Sequence, residues 1–283
     1  MYSHTPYSRP TTIEEATLLL SSGEARILAG GTDFYPSLGD RVIRQAVVDV
    51  SALHELRGVA AEPTHFRIGG LTTWSQIIQT PLPRCFETLK AAAREVGAIQ
   101  IQNRGTIAGN LCNASPAADG VPPLLALDAE VELASASAIR RLPLADFLVG
   151  NRKTQRRPDE LLTAVLVPRH FENAVSAFSK LGARRYLVIS ISMVAALVQV
   201  DDNRHVEQAR VAVGSCSAVA QRLQALEGDL QGRSVRGGLG RFVKPEHLEK
   251  LSPIDDVRAT GAYRMDVSLF LVRRALDACV ETF

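Results

Sequence analysis

The chain has 283 residues, of which 46% are apolar and 22% are charged, and its formal net charge at pH 7 is only +2. This composition is typical of a globular protein of one to three domains, and the small net charge argues against nucleic acid as a partner. The four cysteines are far apart and form no CxxC pair, so the usual sequence patterns of zinc and iron–sulfur sites are absent.

The sequence also lacks the patterns of targeting and membrane segments. The N-terminus has no basic stretch followed by an apolar one. The most apolar segment, residues 186–200, is shorter than the roughly 18 apolar residues that a membrane-spanning helix needs. We therefore expect a cytoplasmic protein without a membrane span.

The first 60 residues are predicted to form a small parallel α/β unit. Segment 9–25 has the pattern of a helix, because a threonine that can cap it is followed three residues later by a glutamate, and a glycine follows its last apolar residue. The apolar runs 25–29 and 46–51 are short and bounded by turn residues, which favours buried strands. Two such strands joined by a crossover indicate parallel pairing.

A second unit is predicted over residues 61–172. It begins with a strand and a helix, and 85–97 is predicted to be another helix with Lys90 and Arg94 on its exposed face. Residues 98–102 alternate apolar and polar side chains, as a strand does.

The rest of this unit is predicted to be a long loop followed by strands. Residues 103–120 are rich in Gly, Asn, Ser and Pro, whereas 129–135 and 156–168 have the composition of strands. A loop of this length inside a compact domain is usually functional.

Residues 173–283 are predicted to form an antiparallel unit with helices. Segment 192–215 has the pattern of a hairpin with a polar turn, and 218–228 and 261–280 have the pattern of helices. The apolar face of the last helix is predicted to contain Val267, Phe270, Leu271 and Leu276.

Two adjacent glycines follow the first predicted strand, in the sequence LAGGTD at 28–33. Glycine lets main-chain amides converge on an anion and Thr32 adds a hydroxyl donor, so a pyrophosphate can bind here. A plain tight turn explains the same pattern, and these residues alone leave both interpretations open. Neither GxGxxG nor GxxxxGK[ST] fits the segment, which argues against a Rossmann turn or a P-loop.

The second polar loop, 103–119, combines glycines with hydroxyl and amide side chains. These groups suit a polyol or a pyrophosphate, whereas a metal ion would need clustered ligands, and only Asp119 and Cys112 are near. The alternative is a loop whose Asn and Ser side chains bond to its own backbone. The six histidines are scattered and no nucleophile–base pair is evident, so hydrolase chemistry has no support.

Four ordered motifs resemble the FAD-binding medium subunit of the molybdenum hydroxylases, the family of xanthine dehydrogenase and carbon monoxide dehydrogenase. They are LAGGTD (28–33), NRGTIAGN with ASPAAD (103–119), FSKLGARR (178–185) and PIDDVRATGAYRMDVSLFLVRRAL (253–276). The resemblance covers Arg9 to about Cys279. It implies an α+β fold, in which a two-subdomain FAD-binding domain of the PCMH type is followed by a C-terminal antiparallel sheet with helices.

The domain boundaries expected from this resemblance and from the predicted elements are 1–60 and 61–172 for the two FAD-binding subdomains and 173–283 for the C-terminal domain. The two glycine loops are implied to hold the FAD pyrophosphate from both sides with main-chain amides, so that Gly31 faces Gly109.

The resemblance also implies roles for side chains. Asp119 would bind a hydroxyl on the flavin side, Leu162 would line the ring pocket, and Lys180 would lie near the isoalloxazine edge, where a cation stabilises reduced, anionic flavin. Tyr186 would lie against the ring face. Lys180 and Tyr186 fit a surface lysine and a core tyrosine equally well. The implied FAD-binding residues are Leu28, Ala29, Gly30, Gly31, Thr32, Asp33, Thr106, Ile107, Gly109, Asn110, Asp119, Leu162, Lys180 and Tyr186.

Two departures from the family pattern limit what can be transferred. Ala108 stands where the family often has the first of the two adjacent glycines in GTIGGN, and we expect the position to tolerate its methyl group. The residues after Arg185 differ from the acidic variants of some xanthine dehydrogenases, so the final electron acceptor cannot be transferred. The cysteine-rich insertion that carries a 4Fe–4S cluster in benzoyl-CoA-type reductases is absent.

The function implied by the resemblance is electron transfer through FAD within a heterotrimeric molybdenum hydroxylase. A large partner would carry the molybdenum cofactor, a small partner would carry 2Fe–2S clusters, and the complex would be a dimer of heterotrimers. The acceptor would be NAD⁺, oxygen or a quinone. One alternative is a stand-alone FAD-dependent oxidoreductase of the same superfamily, which would need an acid or base opposite flavin N5 that does not stand out. A scaffold subunit that has lost its flavin is the other, and the retained glycines argue against it.

Overall fold

The structure is a computed structural model that describes residues 6–184 and 189–281. The helices in these residues are α1 Ile13–Leu20, α2 Trp74–Gln79, α3 Glu87–Glu95, α4 Ile99–Gln102, α5 Ile107–Asn113, α6 Val121–Ala126, α7 Leu144–Phe147, α8 Gln224–Leu230 and α9 Gly261–Val280. The strands are β1 Tyr7–Ser8, β2 Arg26–Leu28, β3 Val47–Asp49, β4 Val59–Ala61, β5 His65–Gly69, β6 Glu130–Ala134, β7 Ile139–Pro143, β8 Leu148–Gly150, β9 Lys153–Thr154, β10 Leu161–Pro168, β11 Val175–Gly182, β12 Ser190–Val200, β13 Val206–Gly214 and β14 Gln221–Arg222.

The N-terminal unit is a parallel three-stranded sheet in the order β1-β3-β2, as the strand–crossover–strand pattern predicted. The helix α1 begins at the predicted type of cap, because the Thr12 side chain accepts a hydrogen bond from the Glu15 amide. The Glu15 carboxylate in turn accepts one from the Thr11 amide at 2.9 Å. These bonds satisfy donors that the first turn of a helix leaves free.

The second unit contains an antiparallel five-stranded sheet in the order β4-β5-β10-β6-β7. Its central strand, β10, is buried at every position before Pro168. The core under this sheet includes the large side chains of Trp74, Phe86, Phe147 and Phe171, all of them almost fully buried. The strands predicted at 129–135 and 156–168 are confirmed as β6 and β10.

The segment before β6 departs from two of the predictions. Residues 98–102 form the short helix α4 and not a strand, because the amides of Ile101 and Gln102 both bond to the carbonyl of Ala98. No neighbouring strand pairs with this segment among the described residues. The predicted long loop at 103–120 also contains the helix α5, which Thr106 caps by accepting a hydrogen bond from the Gly109 amide at 3.1 Å.

The exposed face predicted for α3 is only half right. Arg94 is exposed, whereas Lys90 is 9% exposed and its Nζ lies 3.7 Å from a carboxylate oxygen of Glu87. The same helix packs against β11, where the Thr88 amide donates to the Ser176 hydroxyl. Lysine can bury its methylene stem in this way while its ammonium reaches a polar partner.

The C-terminal sheet is antiparallel in the order β11-β12-β13-β14, and the hairpin predicted over 192–215 is confirmed. The helix α9 packs on this sheet through Leu271, Val272, Ala275 and Leu276. Phe270 was predicted on this face, but it is 63% exposed because it lies one position outside the buried stripe.

The C-terminal structure also corrects the predicted start of α8. Residues 221–222 pair with β13 as an edge strand, so the helix begins only at Gln224. Within residues 6–184 and 189–281, no helix combines the length and the apolar character needed to cross a membrane.

The division into domains 1–60, 61–172 and 173–283 stays a prediction.

The buried carboxylate of Glu132 is a central polar contact of the five-stranded sheet. It accepts hydrogen bonds from Arg67 at 2.8 Å, from Arg141 at 2.8 and 3.0 Å and from the Thr163 hydroxyl at 3.0 Å. Burial alone would raise the pKa of Glu132, but the bonds from Arg67, Arg141 and Thr163 outweigh it and hold the pKa below its ordinary value.

We expect Glu132→Gln to lower the free energy of unfolding by about 2 kcal/mol near pH 7, because it removes a carboxylate that two arginines share. A lowered pKa means that this stability is present above the ordinary glutamate pKa and is lost as the pH falls through the folded-state value. Urea unfolding should therefore show a smaller difference between variant and parent at about pH 3. Glu130→Gln, at an exposed position of the same strand, should change little at either pH, and an equal effect of both variants would contradict the prediction.

Candidate functional site

A cavity of about 580 Å³ opens between the N-terminal sheet and the segment that leads into α5. It is lined from one side by β2 and the loop after it, and from the other by the start of α5 and by β10. Nine of the predicted FAD-binding residues line it: Ala29, Gly30, Gly31, Thr32, Asp33, Thr106, Gly109, Asn110 and Leu162. The two glycine loops, which are about 75 residues apart in the chain, are thus brought to one cavity.

The first glycine loop touches the second through their backbones. A Cβ atom at Gly30 would lie 1.9 Å from the carbonyl oxygen of Arg104 and 3.2 Å from Cα of Gly105. No residue with a side chain fits this contact unless the loops separate. Gly31 has φ of +77°, a left-handed conformation that glycine adopts without strain.

The loop leaves a row of backbone amides without partners. The amides of Gly30, Gly31, Thr32, Asp33 and Phe34 donate no hydrogen bond to any residue within 6–184 or 189–281. Buried or half-buried amides normally find an acceptor, and consecutive free ones form a concave site for an anion. A bound phosphate oxygen would satisfy these donors.

The second glycine loop differs, because most of its amides are already used. The amide of Ile107 donates to the Thr72 carbonyl, that of Ala108 to the Gly70 carbonyl and that of Gly109 to the Thr106 hydroxyl. The polar atom that remains is Oδ1 of Asn110, which is buried and has no hydrogen-bond partner among the described residues. Asn110 lines this side of the cavity, and its Oδ1 lies 2.9 Å from the position of a Cβ at Gly120.

Ala108 occupies the position where the family often has glycine. It lies in the first turn of α5 and is not among the residues with positive φ. Its methyl group causes no backbone strain there, which agrees with the expectation.

Two of the predicted residues are buried beside the cavity and do not line it. Leu28 is the buried last residue of β2, and Ile107 lies in the core under the five-stranded sheet. Tyr186 lies outside the described residues.

Asp119 and Lys180 also lie outside the cavity lining, and they bind each other. Nζ of Lys180 lies 2.9 and 3.0 Å from the two carboxylate oxygens of Asp119 and donates to the carbonyl of Glu95 at 3.2 Å. The Ser190 hydroxyl donates to the same carboxylate at 3.1 Å. Burial raises the pKa of Asp119, and Lys180 and Ser190 offset part of that rise. Glu95, whose carbonyl binds Lys180, is followed in the chain by Val96, which lines the cavity.

The cavity-lining residues that sequence reasoning missed include Trp74 and three arginines, Arg26, Arg152 and Arg156. A Cβ at Gly120 would lie 2.5 Å from Cη2 of Trp74, so the indole fills the space between the cavity and the segment before α6. Trp74 is the single tryptophan of the chain and directly follows the cap of α2, a signal that could have been used. The arginines carry no comparable signal, because their place depends on how distant segments meet.

The groups that line the cavity fit FAD. The cavity combines a row of free amides, an unpartnered buried amide oxygen and apolar walls from Trp74, Ile101 and Leu162. Cofactor sites are typically apolar clefts of this size with a few placed polar groups. No group of three or more His, Cys, Asp or Glu side chains within the described part of the chain is arranged to hold a metal ion.

Comparison with known proteins decides the family. Residues 2–170 match the family described as FAD binding domain in molybdopterin dehydrogenase, and residues 176–279 match CO dehydrogenase flavoprotein C-terminal domain. The chain belongs to the FAD-binding subunits of the molybdopterin dehydrogenases. The resemblance inferred from the four motifs is thereby confirmed, and the chain is an FAD-binding oxidoreductase subunit of the xanthine and CO dehydrogenase type.

Relatives of this FAD-binding subunit are themselves named as subunits. It is 31% identical to a putative xanthine dehydrogenase FAD-binding subunit of Escherichia coli (strain K12), over 99% of this chain and 97% of that one. It is 39% identical to a nicotinate dehydrogenase FAD-subunit of Eubacterium barkeri, over 68% of each chain. The fold also matches a chain of carbon monoxide dehydrogenase from Hydrogenophaga pseudoflava, with a TM-score of 0.88 at 24% identity over 99% and 98% of the two chains. The predicted α+β architecture is confirmed.

We expect Lys180→Met to lower the free energy of unfolding by about 3 kcal/mol, because it leaves the buried Asp119 carboxylate without its cation. The pKa of that unpaired carboxyl should rise further. A raised acid pKa means that the folded state gains stability as the pH falls, so the loss should be smaller near pH 5 than near pH 8.

The double variant Asp119→Asn/Lys180→Met should recover at least about 1 kcal/mol of this loss, because the two residues act as a pair. Urea unfolding of the single and double variants measures the coupling, and Lys153→Met at an exposed position is the control. Simple additivity of the two substitutions would show that the pair is not energetically coupled.

Proposed function

We propose that this chain binds FAD in the cavity between its two glycine loops and transfers electrons for a molybdenum hydroxylase that consists of several subunits. The observation that carries the proposal is the row of free amides from Gly30 to Phe34 at the wall of a cavity of suitable size. An FAD diphosphate supplies the acceptors that these donors lack.

The proposed roles of the residues follow from their positions. The loop from Leu28 to Asp33 holds the diphosphate with its amides, and Thr106 to Asn110 forms the opposite wall, with Asn110 adding its amide side chain. Gly31 and Gly109 then lie on either side of the diphosphate. Leu162 supplies an apolar surface for a ring.

Asp119 and Lys180 are proposed to act at the flavin edge of the site. Lys180 is held by Asp119 and by the Glu95 carbonyl, next to Val96 at the cavity wall. A positive charge close to a ring system favours negative charge on that ring. Tyr186 is proposed to lie against the ring face, as the family resemblance implies.

When bound, FAD would accept electrons singly and release them in pairs. The protein's part is to bind the cofactor tightly, exclude water with Trp74 and Leu162, and hold the Lys180 cation in place. We propose that the electrons come from a small partner with 2Fe–2S clusters, that a large partner with the molybdenum cofactor oxidises the substrate, and that the acceptor is NAD⁺, oxygen or a quinone. The proposed assembly is a dimer of heterotrimers in the cytoplasm.

The experiment that tests this proposal is expression of the chain alone and together with candidate large and small subunits from neighbouring genes. We expect the isolated chain to take up FAD and show a flavin spectrum, and the three chains to purify as one complex. A colourless chain that cannot be reconstituted with FAD, or the failure of any complex to form, would contradict it. Reduction of the flavin by an organic substrate added to the isolated chain would favour a stand-alone oxidoreductase.

We expect Gly31→Val to abolish FAD retention without unfolding the C-terminal domain. Its Cβ would lie 2.9 Å from Cε2 of Tyr35 and its φ of +77° is unfavourable for a branched side chain. Gly39→Val is the matched control, because Gly39 also has positive φ and belongs to the same turn but has no atom within 4 Å of its Cβ position. Flavin absorbance after gel filtration compares the two, and equal loss in both would show that backbone strain alone is responsible.

A further inference from the structure

Three arginines line the cavity and none of them is paired with a carboxylate of the described residues. Arg156 donates to the carbonyls of Arg157, Pro158 and Glu160, and Arg152 donates to Oδ1 of Asn113 at 2.8 Å. Elsewhere in the chain, arginines such as Arg67, Arg140 and Arg222 form ion pairs with Glu or Asp. Asp33, an exposed residue, is the one carboxylate among the described lining residues, so the cavity has an excess of positive charge.

Arg26 is the least satisfied of the three. Its guanidinium makes no hydrogen bond and no ion pair with a residue of 6–184 or 189–281, and its one described contact is with the ring of Phe34, 4.5 Å from the centroid. Half-buried guanidinium groups have five donors in a fixed plane and normally find acceptors.

The contact with Phe34 determines where this charge lies. Phe34 is the last residue of the loop whose amides, from Gly30 to Phe34, are free. Because the ring belongs to that loop, the guanidinium stacks on the segment that carries the same amides. Charge and amides therefore converge on one part of the cavity wall.

We propose that Arg26 binds the diphosphate of the cofactor, with Phe34 holding its guanidinium in position, and that it sets the preference of the site for a diphosphate-bearing ligand. This inference rests on the proposed function and adds a residue that lies outside both glycine motifs. A guanidinium suits a diphosphate, because its parallel donors match two oxygens of one phosphate. Arg152 and Arg156 add to the positive electrostatic potential in the cavity, but some of their N–H donors are already used in hydrogen bonds within the chain.

The test measures binding of FAD and of ADP to the whole chain, freed of cofactor, by calorimetry. We expect Arg26→Gln to weaken both ligands by about tenfold or more, since a charge-assisted hydrogen bond to a phosphate is lost. Arg26→Lys, which keeps the charge, should bind both ligands about threefold more weakly than the parent protein. Phe34→Leu should also weaken the binding of both ligands about threefold, because the ring no longer holds the Arg26 guanidinium in position.

The salt dependence of ADP binding separates a phosphate contact from stacking on adenine. The dissociation constant of the parent protein should rise steeply with NaCl concentration, and that of Arg26→Gln should rise less, because one cation no longer meets the diphosphate. Weaker binding with an unchanged salt dependence would overturn the proposal in favour of a contact with the base. Arg236→Gln removes an exposed arginine far along the chain and should change neither quantity.

The outcomes also distinguish this inference from the proposed function. A parent chain that binds neither FAD nor ADP contradicts the proposed function itself. A parent chain that binds FAD, with the same affinity in Arg26→Gln, rejects only the role of Arg26. Circular dichroism melting curves of each variant show whether a loss of binding comes from loss of folding.

Discussion

The backbone contact between Gly30 and the Arg104–Gly105 segment is the constraint on which the rest of the site depends. The N-terminal sheet is small, and at this point its loop comes so close to the second unit that a Cβ at Gly30 would lie 1.9 Å from the Arg104 carbonyl oxygen. The cavity exists because the loops meet here and diverge beyond it. A larger residue at position 30 would push the two loops apart. A ligand could then no longer contact the amides of the first loop and Asn110 of the second at the same time.

Polar groups left without partners are unfavourable for folding, and several of them belong to residues that line the cavity. The free amides of 30–34, the buried Oδ1 of Asn110 and the unpaired guanidinium of Arg26 all face or adjoin it. Each would be stabilised by an acceptor or donor supplied from outside the chain. At the cavity, a ligand with a negatively charged middle section would supply hydrogen-bond acceptors to the free amides and to Arg26.

The helix α6 connects this site to the C-terminal sheet through a carboxylate near each of its ends. Asp119, just before the helix, binds Lys180 of β11, and Asp128, just after it, binds Arg210 at 3.2 Å and also Arg222. Both contacts cross from the FAD-binding unit to the C-terminal unit. Asp128 has φ of +51°, which turns its side chain towards the sheet at the end of the helix. The Lys180 cation is therefore held by a carboxylate that lies two residues before the helix between the two units.

The sequence by itself determined the features that depend on neighbours within a few residues: the capped helix α1, the 192–215 hairpin, the glycine loops and, through four ordered motifs, the family. These predictions hold because helix caps, hairpin turns and glycine conformations depend on residues that are close together in the chain. Only the tertiary structure decided that 98–102 is helical, that Lys90 is buried, that Phe270 is exposed, and that Lys180 binds an aspartate 61 positions away. The arginines around the cavity belong to the same group. Burial and charge pairing depend on segments far apart in the chain, and no local pattern encodes which of them will meet.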